Sequence, residues 1–122
     1  MKRIVIVTGA TSGIGEATAI KCAKAGFDII ITGRRKERLE ALNCKLQSMG
    51  AETLSLCFDI RICTEVEKAV NAIPEKWRDI SVLVNNAGLA VGVAPIQEGI
   101  IDDWERMIDT NIKGLLYMTR AV

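Results

Sequence analysis

Residues 8–15 read Thr-Gly-Ala-Thr-Ser-Gly-Ile-Gly and follow the apolar run Ile-Val-Ile-Val at residues 4–7. Residues 16–25 are rich in alanine and other helix-forming residues. The pattern is therefore a strand, a glycine-rich turn and a helix. The free N–H groups and the positive dipole end of a helix N-terminus attract anions, so this arrangement predicts a phosphate-binding site. The alternative interpretation is a tight strand-to-helix turn that binds no ligand.

Each glycine of this turn has a separate expected role. Gly9 lets the chain leave the strand tightly, Gly13 lets a ligand approach the backbone, and Gly15 lets the helix pack close to the sheet. The spacing Gly-x3-Gly-x-Gly differs from the common dinucleotide-binding spacing Gly-x-Gly-x-x-Gly. The flanking strand and helix favour the ligand-binding interpretation over a plain turn.

Short apolar strands alternate with amphipathic helices along the chain. Strands are predicted at 3–7, 28–32, 53–58 and 81–84, and the first two helices at 13–25 and 36–49. A third helix is predicted to start at Thr64, in a capping box with Glu67, and to be closed by Pro74. A loop at 88–99 and a last helix from residue 102 follow. This alternation indicates βαβ units and a parallel sheet. We expect a single α/β domain over residues 1–122, a Rossmann-type doubly wound sheet with strand order 3-2-1-4.

The end of the second strand carries a further signal. Ligands of such sheets bind beyond the carboxyl ends of the strands, where many dinucleotide-binding domains place an acidic residue on the ribose 2′-hydroxyl. Here the chain has Gly33, Arg34 and Arg35. Two guanidinium groups match the geometry of a 2′-phosphate, which predicts NADP rather than NAD. The alternative is a solvated basic start to the next helix.

Composition excludes several other classes of function. Apolar residues make up 49% of the chain, charged residues 25%, and the net charge is +1, so no electrostatic case exists for nucleic acid or an acidic membrane. No apolar run approaches the roughly 20 residues of a membrane span. The chain has no histidine, and its four cysteines form no Cys-x-x-Cys pair, so we expect buried or half-buried free thiols and no metal site. A cytoplasmic location is expected.

Taken together, the motifs resemble the short-chain dehydrogenase/reductase family. They are Thr8-Gly9-x3-Gly13-x-Gly15, Asp59 after the third strand, Asn85-Asn86-Ala87-Gly88 after the fourth, and Asn111 in the last helix. Within that family, residues 32–39, 84–90 and 102–111 are most similar to NADP-dependent 3-hydroxy acid dehydrogenases that also oxidise serine and allo-threonine. The resemblance extends from residue 1 to residue 122.

The resemblance implies which residues bind the cofactor. The glycine turn would line the pyrophosphate, and the arginine pair would bind the 2′-phosphate. The residues after the third strand would border the adenine, and the residues after the fourth strand would lie near the ribose. The implied cofactor-binding residues are Gly9, Thr11, Ser12, Gly13, Ile14, Gly15, Arg34, Arg35, Asp59, Ile60, Asn86, Ala87 and Gly88. Considered by their chemistry alone, Asn85 and Asn86 have a simpler alternative role, since asparagine side chains hold loops by bonding to local backbone groups.

The resemblance also implies a catalytic role for Asn111, which would open the helix locally and help to order a water in a proton relay. The implied reaction is hydride transfer between NADP(H) and a small hydroxy acid or alcohol. The family's catalytic serine and its Tyr-x-x-x-Lys motif are absent, because Tyr117 is the only tyrosine and Ala121 follows it four residues later. The apolar neighbours of Tyr117 favour packing as its role.

Two hypotheses follow for the protein as a whole. The chain is either the N-terminal part of such a dehydrogenase, incomplete within the helix after strand four, or a complete small protein that binds nucleotide or a partner without catalysis. We expect the chain alone to be inactive. We also expect a homo-oligomer with the 102–122 helix at an interface, because the apolar residues of this helix surround much of its circumference.

Overall fold

The computed structural model describes residues 3–89 and 94–122, so part of the predicted 88–99 loop lies outside the described residues. The strands are β1 (Ile4–Val7), β2 (Asp28–Gly33), β3 (Thr53–Cys57) and β4 (Ile80–Val84). The helices are α1 (Gly13–Lys24), α2 (Lys36–Ser48), α3 (Cys63–Asn71), α4 (Ile101–Ile108) and α5 (Leu115–Ala121), with a π-helical segment at Asp109–Gly114 and 3₁₀ turns at Glu75–Trp77 and Ile96–Glu98.

The four strands form one parallel sheet with the order β3-β2-β1-β4, which confirms the prediction. In the centre of the sheet, Ile6 of β1 lies opposite Ile30 of β2 on one side and Leu83 of β4 on the other. Since all four strands point the same way, their carboxyl ends meet at one edge. The strand ends predicted to form a common crevice are therefore neighbours.

Apolar side chains fill both faces of the sheet. On one face, Val5, Val7, Ile29 and Ile31 pack against residues of α1 and α2. On the other face, Ile4, Ile6 and Ile30 pack against a cluster from the remaining helices and loops, which is completed by Phe58, Ile60, Val66, Ile73, Trp77 and Met118. The uninterrupted apolar runs of β1 and β2 follow from this burial on both faces. The fold is doubly wound, as predicted.

Glycines end the first two helices. Gly26 follows α1 with φ +92° and Gly50 follows α2 with φ +90°, a conformation in which a side chain would be strained. Each glycine therefore lets the chain turn away at the end of its helix. No helix among the described residues is both long enough and apolar enough to cross a bilayer.

The predicted capping box of the third helix is wrong. The helix starts at Cys63 with Ile62 at the N-cap position and no side-chain cap, so Thr64 already lies inside the first turn. The carboxylate that reaches back is that of Glu65, whose Oε1 accepts a hydrogen bond from the N–H of Asp59 at 3.2 Å. The predicted partner of Thr64, Glu67, instead accepts a weak hydrogen bond from the Sγ of Cys63 at 3.6 Å.

The last helix is interrupted rather than continuous. The π-helical segment separates α4 from α5 and contains Asn111, so the local opening implied at that residue is present. Gly114 ends the segment, and a Cβ at this position would lie 3.1 Å from Ile60 Cγ2. The close approach to the loop after β3 thus depends on a glycine. Single π-turns of this kind occur frequently at functional sites.

Candidate functional site

An open cavity of about 320 Å³ lies at the carboxyl ends of the strands. Most of the predicted cofactor-binding residues line it, namely Gly9, Thr11, Ser12, Ile14, Arg34, Arg35, Asp59, Ile60, Asn86, Ala87 and Gly88. Gly13 and Gly15 are not in its wall, although they belong to the same turn. The structure therefore brings residues from four separate stretches of sequence to one place.

The glycine turn is shaped by close backbone contacts. Gly9 has φ +61°, and a Cβ on it would lie 2.8 Å from the Cα of Ala87. A Cβ on Gly15 would overlap the carbonyl oxygen of Gly9 and the side-chain amide of Asn86. Gly13 has φ +57° but open space around it, as expected for a point where a ligand approaches the backbone.

A buried threonine joins the turn to the end of β4. The hydroxyl of Thr8 accepts hydrogen bonds from the N–H groups of Asn86 and Ala87, both at 3.0 Å, and donates one to the carbonyl of Val84 at 3.2 Å. In return, the side-chain amide of Asn86 donates to the carbonyls of Thr8 and Gly9, both at 3.1 Å. Asn86 thus holds local backbone, the simpler of its two predicted roles, while its position also places it in the cavity wall.

The two arginines at the end of β2 are exposed and line the cavity. The Arg35 Nη2 atom donates a weak hydrogen bond to Thr11 Oγ1 at 3.5 Å. Within residues 3–89 and 94–122, no carboxylate forms an ion pair with either guanidinium. Two guanidinium groups without a direct ion pair among these residues therefore face the cavity beside the glycine turn, an arrangement suited to an anion.

The carboxylate of Asp59 is engaged by an arginine two residues later. Its oxygens accept hydrogen bonds from the backbone N–H of Arg61 at 3.0 Å and from Nε and Nη2 of the same residue, the latter at 2.7 Å. These bonds lower the pKa of Asp59 against the opposing effect of burial, and the charge of Arg34 lowers it further. Asp59 is thus held as an anion in the cavity wall.

Asn111 lies beside the cavity rather than in its wall. Its Oδ1 accepts a hydrogen bond from the N–H of Leu89 at 2.8 Å, and its Nδ2 donates to the Leu89 carbonyl at 2.9 Å. The neighbouring Thr110 and Leu89 themselves line the cavity. The side chain of Asn111 therefore ties the π-helical segment to the loop after β4.

Several lining residues were not predicted from the sequence. They are Thr32, Gly33, Phe58, Arg61, Leu89 and Thr110. Each lies at a strand end or within two residues of a predicted site residue, so position beyond the carboxyl ends of the strands was the signal that could have found them. The buried Thr8 carries a weaker signal, because a threonine at a strand end has no distinctive pattern.

The structure also shows the surroundings of Tyr117 and of the cysteines. Tyr117 is half-buried against the core beneath the sheet, which confirms that it packs. The four cysteines are free thiols; Cys22 and Cys63 are half-buried as predicted, but Cys44 and Cys57 are exposed, so the predicted burial is wrong for these two. Within the part of the chain that the structure describes, no three metal-ligating side chains converge.

Known proteins resemble this chain over almost its whole length. The NADP-dependent 3-hydroxy acid dehydrogenase YdfG of Salmonella typhi is 51% identical over 119 residues, and serine 3-dehydrogenase of Agrobacterium fabrum is 50% identical; each match covers 98% of this chain. A solved closed form of serine dehydrogenase complexed with NADP+ is 46% identical with a TM-score of 0.91 and is matched over 98% of this chain and 47% of its own. The chain spans about half the length of these relatives, 47% of both curated ones.

The family assignment rests on a longer match than any single motif. Residues 3–122 match the profile of the short-chain dehydrogenases. This range includes the glycine turn, the arginine pair, the loop after β4 and the π-helical segment, which the fold brings around one cavity. By sequence and by fold, this chain belongs to the short-chain dehydrogenase family.

Proposed function

We propose that this chain is a single NADP-binding domain of an oxidoreductase that transfers hydride between NADP(H) and a small hydroxy acid or alcohol. The observation that carries the proposal is the meeting of the glycine turn and two unpaired guanidinium groups in one cavity. The names of the matched relatives, which include NADP-dependent and serine dehydrogenases, support the same cofactor and substrate class.

The glycine turn is proposed to bind the pyrophosphate. The N–H groups of a helix's first turn have no intrahelical partner, and the first bond of α1 is from Glu16 N–H to the Ser12 carbonyl. The N–H groups ahead of Glu16 are therefore free to meet an anion at the positive end of the helix dipole. Ser12 and Ile14 line the cavity there, and the side chain of Ile14 is 78% exposed.

The arginine pair is proposed to bind the 2′-phosphate. Arg34 and Arg35 lie at the end of the strand next to β1, and no ion pair within the described residues would have to break before they met a phosphate. A guanidinium donates two parallel hydrogen bonds to phosphate oxygens, which makes it selective for this group over a bare hydroxyl. NADP itself supplies or accepts the hydride.

The remaining wall residues are proposed to hold the adenosine. Asp59 and Ile60 follow β3 and would border the adenine, while Asn86, Ala87 and Gly88 follow β4 and would border the ribose. The rigid hydrogen bonds between Thr8 and the β4 loop fix this wall before any ligand binds. Binding would therefore lose little free energy to ordering of the site.

Asn111 is proposed to act in catalysis through its place in the π-helical segment. Both polar atoms of its side chain are used by Leu89, so the backbone of the opened turn is the part left to order a water. Tyr117 is packed in the core and has Ala121 four residues later, so it does not replace the proton donor of the family. We propose that this chain alone is inactive, that it occurs in the cytoplasm, and that residues 102–122 contribute to a homo-oligomeric interface.

The proposal is tested by replacing Arg34 and Arg35 together with alanine. Loss of hydrogen bonds to a charged group should reduce NADP binding by about 1–3 kcal/mol and leave NAD binding almost unchanged. Isothermal titration with each cofactor measures both. A matched control, Lys24→Ala with Arg120→Ala, removes the same charge from exposed positions outside the cavity. Equal losses for the two cofactors would contradict the assignment.

A further inference from the structure

We propose that Arg61 is a positioning residue that orients the Asp59 carboxylate toward the 6-amino group of the adenine. The inference rests on the proposed function, since it concerns the adenosine end of the same cavity. Both residues line that cavity. Neither the sequence motifs nor the glycine turn assigns a role to Arg61.

The contact between the two side chains fixes the plane of the carboxylate. Nε of Arg61 lies 3.0 Å from Oδ1 and 3.2 Å from Oδ2 of Asp59, and Nη2 lies 2.7 Å from Oδ2. The backbone N–H of Arg61 adds a third donor on Oδ1 at 3.0 Å. Three N–H donors from one residue, with Nε–H shared between the two oxygens, hold the carboxylate in a single orientation and leave one of its roughly four lone-pair sites, on Oδ2, for a further donor.

The hydrogen bonds to Asp59 also hold the Arg61 guanidinium. Its hydrogen bonds to Asp59 are the larger cause of its raised pKa, and the nearby charge of Asp109 adds to it. Asp109 begins the π-helical segment, and Thr110 in that segment also lines the cavity. The loop after β3 and the π-helical segment therefore both contribute residues to the cavity wall near Arg61.

A carboxylate fixed in this way selects among bases. An ionised carboxylate only accepts hydrogen bonds, so it attracts the 6-amino group of adenine and repels the 6-oxo group of hypoxanthine. Because the orientation is already set, binding does not lose the rotamer freedom of Asp59. Without the fork of Arg61, the carboxylate would have to be ordered by the ligand, and discrimination between the two bases would weaken.

The experiment compares NADP with its hypoxanthine analogue, nicotinamide hypoxanthine dinucleotide phosphate, by isothermal titration of the purified protein. The wild type should bind NADP about tenfold more tightly than the analogue, as expected for one hydrogen bond to a charged group. Arg61→Met should reduce this ratio by about threefold to tenfold. Arg34→Met is the comparator, since it removes a cavity charge beside the predicted phosphate and should weaken both ligands by the same factor.

Arg61→Lys separates orientation from charge and also serves if Arg61→Met does not fold. Lysine keeps the positive charge but lacks the planar guanidinium fork, so the preference of the Arg61→Lys variant for NADP over the hypoxanthine analogue should also fall. A wild-type ratio in either folded variant would overturn the inference. If the wild type binds NADP and the analogue equally, the inference fails while the proposed function stands. If it binds neither, the proposed function fails and the inference fails with it.

Discussion

Two regions differ in how fully their side chains are satisfied within the chain. They are the glycine-turn region, residues 8–15 with Asn86 and Ala87, and the helical region, residues 101–121. In the glycine-turn region the polar groups of Thr8 and Asn86 are paired within the chain. The helical region instead leaves large apolar side chains in contact with solvent: Ile101, Ile108, Ile112, Leu115 and Leu116 are each between 41% and 66% exposed. The polar groups of the first region are thus paired, while the second region has apolar side chains that the described residues leave uncovered.

The difference separates polar groups that are already paired within the chain from apolar side chains that are exposed to solvent. The proposed cofactor site uses groups at the carboxyl ends of the four strands, where hydrogen bonds within the chain already hold them. Exposed apolar groups in a cluster mark contact with other protein surface, because burying them removes apolar area from water. The following predictions test the contrast, from the largest expected effect to the smallest.

The first prediction concerns turnover. Tyr117, the one tyrosine of the sequence, lies in the helical region and packs against the core, so it is not placed to act as a proton donor. The 122-residue chain should therefore show no oxidoreductase activity with serine, 3-hydroxy acids or simple alcohols. The measurement is NADPH formation at saturating NADP. Activity that disappears in Tyr117→Phe would show that the helical region contains a working proton donor after all.

The second prediction concerns self-association. The chain should aggregate or associate at micromolar concentration through β4, which is an edge of the sheet, and through the helical region. Ile112→Gln with Leu116→Gln should shift the mass measured by size-exclusion chromatography with light scattering toward that of a monomer. Ile96→Gln is the control, because Ile96 is 83% exposed but lies outside the helical region. A monodisperse wild-type monomer with cooperative thermal unfolding would contradict the prediction and favour a complete small protein.

The third prediction concerns the packing of the glycine turn. Gly15→Ala forces a methyl group onto the Gly9 carbonyl and the Asn86 amide, which should lower the free energy of unfolding by about 3 kcal/mol, as overpacking does. Gly13→Ala meets no atom but places a side chain at φ +57°, with an expected loss of about 1 kcal/mol. Denaturant unfolding measures both. If the two losses were equal, packing would not distinguish the two glycines.

The fourth prediction concerns pH. The pKa of Asp59 is lowered in the folded chain, chiefly by the hydrogen bonds from Arg61, so its contribution is full above the ordinary carboxyl pKa of about 3.9 and is lost as pH falls through the folded value. Wild type should therefore lose roughly 1 kcal/mol more stability than Asp59→Asn as pH falls below about 4. Denaturant midpoints between neutral and acidic pH measure this, with the exposed Asp79→Asn as control. Parallel pH curves for wild type and Asp59→Asn would contradict it.

The sequence predicted the strands and helices closely where one physical rule dominated. Apolar runs buried on both faces gave β1 and β2, and glycines at positive φ gave the ends of α1 and α2. It failed at a helix boundary. The N-cap position of the third helix falls on Ile62, two residues before Thr64, so the predicted capping box between Thr64 and Glu67 does not form.

For the candidate site, sequence placed the glycine turn, the arginine pair and the residues after β3 and β4 at strand ends, and the fold brought most of them into one cavity. It missed Thr8 and Arg61, because their importance depends on partners. The role of Thr8 comes from the N–H groups of Asn86 and Ala87, which lie 78 and 79 residues away in the chain. Arg61 is two residues from Asp59, but a pair so close in sequence gives no sign that both will face a cavity.

What the sequence by itself determined is the parallel α/β architecture, the strand order and the kind of chemistry at each strand end, because hydrophobic period, glycine position and side-chain charge act locally. Only the tertiary structure decided that the opening expected at Asn111 extends over Asp109–Gly114, that the Asn111 side chain bonds to Leu89, and that Arg61 fixes Asp59. These depend on contacts between segments distant in the chain or on which way a side chain turns. The free energy of these interactions depends on distances and angles that are set only when the chain folds.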